Sequence, residues 1–289
     1  MPQRHIILSC LFLLLVVPRV QAESPVWRIS KGDNHIYLGG TFHLLSSSDH
    51  PLPEAFARAY KDANILVFET DIEKAQTPAF QMAMMKALTY QDERTLQTAL
   101  KPETLKALEA FLTSRGLQLE SFAKFTPGGI GLMIAIMEYQ RMGMQPMYGV
   151  DSVYHQKALA DKKTVSLLET PEEQLKFISK IGEGQGDGMI AYTLEEIERL
   201  PELINGLKQA WRNGNLEQLD ELALEDSREQ FPQTHKSLIT DRNNAWLAPI
   251  KKMLQDEHNE FILVGALHLA GPEGLIAQLK KQGYKVENL

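Results

Sequence analysis

Two segments far apart in the chain place a histidine just after an apolar, glycine-containing strand end. Residues 36–45 read IYLGGTFHLL, and residues 261–270 read FILVGALHLA. Both carry the spacing Gly-x-x-His, and the residues concerned are Gly40, His43, Gly265 and His268. The glycines allow the backbone to turn sharply and to approach a bound cofactor closely, while the histidines project from the strand ends. We therefore predict that the two segments are halves of one site.

Carboxylates follow two further apolar strands. Residues 64–68 read NILVF and precede Glu69, and residues 164–168 read TVSLL and precede Glu169. In an open parallel α/β sheet, ligands bind at the carboxyl ends of the strands. We therefore expect the two carboxylates and the two imidazoles to meet at one edge of the sheet.

This set of residue types supports two kinds of chemistry. Two neutral imidazoles and a carboxylate, here His43, His268 and one of the two glutamates, are a common ligand set for zinc or a similar divalent ion. Such an ion lowers the pKa of its bound water to about 7 and polarises a carbonyl group. The same residues can also act without metal, with one histidine as general base. The chain contains neither HExxH nor GxSxG, so the common zinc-helix and serine-hydrolase motifs do not apply.

Further polar residues have less specific contexts. Arg242, in the sequence DRN, is predicted to hold a substrate carboxylate or to orient Glu69 through a bidentate contact, and the alternative is a surface charge on a helix. Asp151, in the sequence YGVD, is expected to cap a helix N-terminus, and the alternative is a role in the site. Two other histidines have no matching context and are left out of the predicted site: His50 and His155.

The order of elements predicts an α/β fold with a central mixed, mainly parallel sheet flanked by helices. Turn residues between residues 26–29 and 35–38 predict an antiparallel hairpin, and strand, helix and strand up to residue 68 form a βαβ unit. Helix-length apolar patterns dominate a large helical insertion in the middle, at about 75–160 and about 190–255. We predict one domain over residues 23–289.

The first 22 residues are predicted to be a cleaved signal peptide. A short apolar run follows Arg4, and the small-residue pattern Val20-Gln21-Ala22 predicts a cut after Ala22. The run is too short for a stable membrane span, so we expect a secreted or periplasmic protein without one. The single cysteine, Cys10, lies inside this segment, and the net charge of −7 argues against nucleic acid as a partner.

The motifs together resemble those of the TraB/GumN family, which includes the Tiki proteases. The matching stretches are YLGGTFHLL, VFETD, YGVD, LLETPEEQL, DRN and VGALHLAGPEGL. The resemblance as a whole extends over residues 27–286. Two Gly-x-x-His motifs with an intervening glutamate are the hallmark of that family, and here they are Gly40/His43, Glu69 and Gly265/His268. The resemblance implies a fold similar to that of erythromycin-esterase-like and ChaN-like proteins.

The resemblance also implies a function. It points to a metal-dependent hydrolase, peptidase-like, with a divalent ion (manganese, cobalt or zinc) bound by His43, Glu69 and His268. Glu169 and Arg242 would support catalysis, and the substrate would be a peptide or a small molecule. The alternative is a non-catalytic protein of the ChaN-like fold that binds haem or a peptide, with a histidine as the axial ligand of the haem. The sequence does not indicate the oligomeric state.

Overall fold

A six-stranded mixed sheet forms the centre of the protein in the computed structural model, which describes residues 24–289. The strands are β1 (Val26–Lys31), β2 (Asn34–Thr41), β3 (Ile65–Phe68), β4 (Thr164–Leu167), β5 (Glu260–Gly265) and β6 (Lys285–Asn288). Their order in the sheet is β4-β3-β5-β2-β1-β6. The neighbours β4, β3, β5 and β2 run parallel, whereas β1 pairs antiparallel with both β2 and β6. The predicted mixed, mainly parallel α/β sheet is confirmed.

The hairpin and the parallel strands follow the predicted pattern with one difference in order. A two-residue loop joins β1 to β2, and Gly32 adopts a φ of 65° in it, a conformation that favours glycine. Strands β2 and β3 are parallel as expected, but β5 from the end of the chain lies between them. This insertion brings the second Gly-x-x-His segment next to the first.

Helices account for most of the rest of the chain. They are α1 (Glu54–Asp62), α2 (Ile72–Ala75), α3 (Pro78–Ala87), α4 (Leu96–Ala99), α5 (Pro102–Ser114), α6 (Pro127–Arg141), α7 (Val150–Ala160), α8 (Pro171–Ile178), α9 (Gly186–Arg212), α10 (Leu216–Ala223), α11 (Glu225–Gln230), α12 (Pro232–His235), α13 (Asp241–Met253) and α14 (Leu275–Lys281). Several begin with proline, whose fixed φ suits the first helical position. A π-helical turn, Lys236–Thr240, joins α12 to α13.

Alternate side chains of the central strands enter two separate cores, one on each face of the sheet. Phe261 and Leu263 of β5 pack with Phe56 of α1, Tyr154 of α7 and Trp211 of α9. The intervening strand residues pack against α13 and α14 on the opposite face. Because both faces are covered, the central strands are apolar along their whole length, as the continuous runs in the sequence indicate.

The helical middle of the chain has a third core of its own. Leu108 and Leu112 of α5 pack with Ile130 and Ile134 of α6 and with Ile190 of α9. Helix α9 therefore links this layer to the sheet, since Trp211, near the C-terminal end of the helix, lies in the first core. The indole of Trp211 donates a 2.6 Å hydrogen bond to the carbonyl oxygen of Gly40, at the end of β2.

Two predictions concern the N-terminal segment and membrane spans. The predicted signal peptide, residues 1–22, lies outside the described residues and stays a prediction. Within residues 24–289, no helix is both long enough and apolar enough to cross a membrane.

Candidate active site

The carboxyl ends of four parallel neighbours carry the site. Glu69 follows β3 directly, Glu169 lies shortly after β4, His43 shortly after β2 and His268 shortly after β5. Backbone hydrogen bonding continues past the strands, because Glu169 donates its N–H to the carbonyl oxygen of Glu69 over 2.9 Å. All four side chains therefore lie at one edge of the sheet.

A buried guanidinium connects both carboxylates. Arg242 in the first turn of α13 donates two hydrogen bonds to Glu169, from Nε at 3.1 Å and from Nη2 at 2.7 Å. Its Nη2 also donates to Oε2 of Glu69 over 2.5 Å. The three side chains are each less than a tenth exposed. Trp246 lies one turn further along α13, under the guanidinium, and donates to Glu169 over 3.2 Å.

The ring of His268 is fixed on both sides. Asn243 uses its Nδ2 to donate to the carbonyl oxygens of His268 and Glu273, so its Oδ1 must accept from Nδ1 of His268, at 2.7 Å. The Nε2 atom of His268 therefore carries a lone pair, and it accepts a 3.0 Å hydrogen bond from Nη1 of Arg242. Burial, aided by the charges of Arg242 and His43, lowers the pKa of His268 to about 3. His268 is a neutral imidazole.

His43 is held in a different way, and its pKa is shifted in the opposite direction. Its Nδ1 donates to Asp151 over 2.8 Å, and Asp151 also accepts from Thr41 at the end of β2. More than half of the His43 side chain is exposed, and its Nε2 lies 4.0 Å from Oε1 of Glu69. The charge of Asp151 raises the pKa of His43 to about 9, because this effect, helped by Glu69, outweighs desolvation.

Two glycines make these contacts possible. A Cβ atom on Gly149 would lie 2.2 Å from the carbonyl oxygen of His43, so only glycine lets the start of α7 bring Asp151 this close. A Cβ atom on Gly265 would lie 3.2 Å from Nε2 of His43 and 3.3 Å from Oε1 of Glu69. A side chain at that position would fill the space between the two functional groups.

The pKa values of the two carboxyl groups are shifted in opposite directions. Burial alone raises the pKa of Glu69, but the charge of Arg242 and the 2.6 Å hydrogen bond from the backbone N–H of Gly265 contribute to a pKa well below the usual range. For Glu169, burial and the like charge of Glu69 outweigh Arg242, and its pKa is raised. Glu69 is therefore ionised at neutral pH.

The structure brings together all five of the predicted catalytic residues: His43, Glu69, Glu169, Arg242 and His268. Gly265 lies among them, whereas Gly40 lies outside this group: its carbonyl oxygen accepts from Trp211, and a Cβ atom there would lie 3.2 Å from Cα of Ala266. The interpretation of Arg242 as a surface charge is wrong, because the residue is buried.

Asp151 corrects the sequence analysis. Its predicted role as a helix cap is wrong, because Gly149 occupies the N-cap of α7 and the Asp151 side chain binds His43 instead. The signal that indicates this role is the glycine two residues before it, which allows close approach. His50 and His155 lie outside the site as expected: His50 contacts the carbonyl oxygen of Tyr148, and His155 packs on Phe68.

The donor atoms as they stand do not suit a metal ion. The Nε2 lone pair of His268 and the Oε2 atom of Glu69 are both occupied by the Arg242 guanidinium. In residues 24–289, no group of three or more His, Cys, Asp or Glu side chains is arranged to hold an ion. An ion coordinated by His268 would require Arg242 to leave its hydrogen bond with that residue.

Cavities open on both sides of His43. One of about 270 Å³ is lined by charged and polar side chains, Glu69, Asp151 and Gln174, together with Thr70 and the apolar Phe68 and Ile72. Another of about 350 Å³ lies on the side of α6 and α9, and Arg242 and His268 form part of its wall together with mainly apolar residues. A substrate bound at His43 can therefore extend in two directions of different polarity.

The fold and site define an α/β protein with a His–Asp pair, open to solvent, above a buried arginine–carboxylate cluster at the strand carboxyl ends. A family model matches residues 25–288, and the chain belongs to the TraB/PrgY/gumN family. It is 26% identical over 248 residues to the uncharacterized protein YbaP of Escherichia coli K12 and equally to that of Shigella flexneri. These matches cover 86% of this chain and 88% of each relative. No solved structure was found to match.

We expect Arg242→Met to destabilise the protein strongly, because it leaves Glu69 and Glu169 as neighbouring buried carboxylates without a counter-charge. Removing one partner of a buried ion pair costs about 3–5 kcal/mol in free energy of unfolding. Urea unfolding followed by circular dichroism measures this difference. Arg58→Met, an exposed arginine on α1, is the matched control and should stay within about 0.5 kcal/mol of wild type. Equal stability of the two variants would contradict the buried cluster.

We expect Asp151→Asn to lower the pKa of His43 from about 9 towards its ordinary value of 6.5, because the anionic partner is the largest cause of the upward shift. The expected decrease is about one to two units. Titration of the imidazole signals by NMR measures it, and His43→Gln identifies the signal of His43. Asp33→Asn, in the exposed hairpin loop, should leave the titration unchanged. An unchanged midpoint in Asp151→Asn would show that Asp151 does not control the charge of His43.

Proposed function

We propose that this chain is a hydrolase of peptide or small-molecule substrates in which His43 activates the attacking water. The observation that carries the proposal is the position of Nε2 of His43. The atom is oriented by Asp151 and faces Oε1 of the ionised Glu69 across the space that Gly265 keeps open. A nucleophile or base oriented by a third group is the usual arrangement in acyl transfer.

The proposed reaction uses His43 first as base and then as acid. Neutral His43 takes a proton from a water that also donates to Glu69, while the water oxygen attacks the substrate carbonyl carbon. The tetrahedral intermediate then collapses, and the imidazolium returns the proton to the leaving nitrogen or oxygen as its bond to carbon breaks. Because the pKa of His43 is about 9, the base form and the rate should both increase as pH rises towards that value.

Arg242 is the group best placed to stabilise the negative oxygen of the intermediate. A guanidinium has five N–H donors, and described residues use four of those of Arg242. The side chain also lines the apolar cavity beside His43. A cation fixed in a water-poor site favours developing negative charge strongly, since it needs no reorganisation during the reaction. Glu169 and His268 then act as positioning residues that hold Arg242.

The family resemblance favours a peptide substrate and a secreted or periplasmic location, and both remain proposals. The alternative of a non-catalytic protein that binds haem also remains. For that alternative His43 is the axial ligand with the better access, because both ring nitrogens of His268 are engaged. Haem titration separates the two functions, since a Soret shift in wild type that His43→Gln loses favours binding over catalysis.

We expect His43→Gln and Gly265→Ala each to abolish most hydrolysis found in a screen of peptide and ester substrates. Loss of the base should lower kcat/KM by about 100- to 10,000-fold. The added methyl group at Gly265 fills the space beside His43 and Glu69, and we expect a loss on the order of 100-fold. The φ of −50° at Gly265 accepts alanine, so folding should be retained.

The control for Gly265→Ala is Gly206→Ala on α9, where a Cβ atom would meet only the flexible Leu222 side chain at 3.2 Å. That variant should keep wild-type activity. Full activity in folded Gly265→Ala protein would contradict the proposed water position. Circular dichroism and urea unfolding establish that each variant folds.

The role of metal has its own test. In the arrangement described, Arg242 takes the lone pair that a metal would need, so we expect hydrolysis to survive a chelator such as EDTA. Elemental analysis of protein purified without chelator is the second measurement. Stoichiometric manganese, cobalt or zinc that is absent from folded His43→Ala/His268→Ala protein, with activity lost in EDTA and restored by the ion, would instead support the metal-dependent enzyme.

A further inference from the structure

The apolar cavity beside His43 does not end within the site. Its walls include Met144, Ile204, Leu207, Tyr139 and Leu238. A second cavity of about 310 Å³ lies between α6, α9 and the segment from α11 to the π-helical turn. Tyr139 and Leu238 line both cavities, so the two adjoin at these side chains. We call these two adjoining cavities, from His43 into the helical layer, the apolar channel.

Small residues on α6 border the second part of this channel. Gly128, Gly131 and Ala135 lie on its wall, and a Cβ atom on Gly131 would lie 3.3 Å from Oγ1 of Thr193 on α9. The facing wall is α9, with Ile197, among other residues. Larger side chains at these positions would fill this space, because protein interiors are close-packed.

Polar groups lie at the entrance of the channel and again within its second part. His43, Arg242 and His268 lie at the entrance. Glu196 lies in the second part, where burial raises its pKa, and its charge contributes to the raised pKa of Tyr139, which lines both cavities. The first part, next to His43, is lined mainly by aliphatic and aromatic side chains. The occupant that fits is therefore an apolar chain joined to a polar, reactive group that sits at His43.

We propose that the apolar channel binds a linear apolar part of the substrate, an acyl chain or an extended hydrophobic substituent attached to the carbonyl that is attacked. This inference rests on the proposed hydrolase function for the position of the carbonyl, because His43 lies at the channel entrance. The cavity with Asp151 and Gln174 on the other side of His43 then receives the leaving group. The catalytic groups thus lie between an apolar half-site and one that also carries charged and amide side chains.

The π-helical turn gives this assignment a structural basis in the chain. Lys236–Thr240 carries Leu238 and Ile239 into the cavity wall and ends two residues before Arg242. Such turns often occur at functional sites, because the extra residue in the turn redirects the side chains that follow. One local irregularity therefore positions both the channel wall and the guanidinium.

Linear methyl ketones test the channel directly. The series from hexan-2-one to dodecan-2-one presents a neutral carbonyl and an apolar chain but no bond that can be hydrolysed. Equilibrium dialysis with gas chromatography gives Kd for each ketone. Each added methylene that enters the channel should tighten binding by roughly fourfold, until the chain fills it and Kd becomes constant.

A bulky residue inside the channel should shorten this dependence. Ala135→Trp places an indole in the second part, so Kd should stop improving at a ketone at least two carbons shorter than in wild type. Gln140→Trp is the matched control, because residue 140 lies on the same helix but is exposed. It should reproduce the wild-type series.

The outcomes separate this inference from the proposed function. If His43→Gln loses hydrolysis but keeps the ketone series, both proposals are supported. A flat series in wild type, or identical series in Ala135→Trp and Gln140→Trp, would overturn the apolar channel even where hydrolysis is found. Absence of hydrolysis together with a chain-length series that Ala135→Trp shortens would overturn the enzyme and keep the channel as a ligand site.

Discussion

The guanidinium of Arg242 between two buried carboxylates is the interaction on which the site depends. Glu69 and Glu169 come from neighbouring parallel strands, so the sheet itself forces two like charges together in a region with little water. Such an arrangement is tolerable only with a fixed counter-charge, and α13 provides it. The position of α13, the turn before it and the tryptophan beneath the guanidinium all follow from this requirement.

Two glycines beside His43 determine how closely the backbone and the functional groups of the site approach each other. Gly149 lets α7 start against the carbonyl group of His43, and Gly265 leaves room beside its ring. Neither needs an unusual φ, since both adopt values that other residues also accept. Their role is the absence of a Cβ atom. Glycine in a strand end therefore signals close approach here as much as flexibility.

The sequence predicts the sheet and the four side chains at its strand ends, because the apolar pattern of each strand and the position of the polar residue after it are local features. Continuous apolar runs indicate buried parallel strands, and a polar residue at each carboxyl end indicates a shared edge. What it does not determine is which strand lies between which, since β5 inserts between β2 and β3 only through long-range packing. The pairing of Asp151 with His43 is hidden for the same reason, because 108 residues separate them.

The two histidines show why identical motifs carry different chemistry. Both Nε2 atoms lie within 4.0 Å of the same oxygen of Glu69, yet the pKa of His43 is about 9 and that of His268 about 3. His43 gains an anionic partner in Asp151, whereas His268 has a neutral amide partner and a cation at its lone pair. Opposed pKa shifts in neighbouring groups mark an acid–base division of roles. The repeated Gly-x-x-His motif thus builds two unlike residues, a solvent-accessible imidazole paired with Asp151 and a buried neutral one that accepts a hydrogen bond from Arg242.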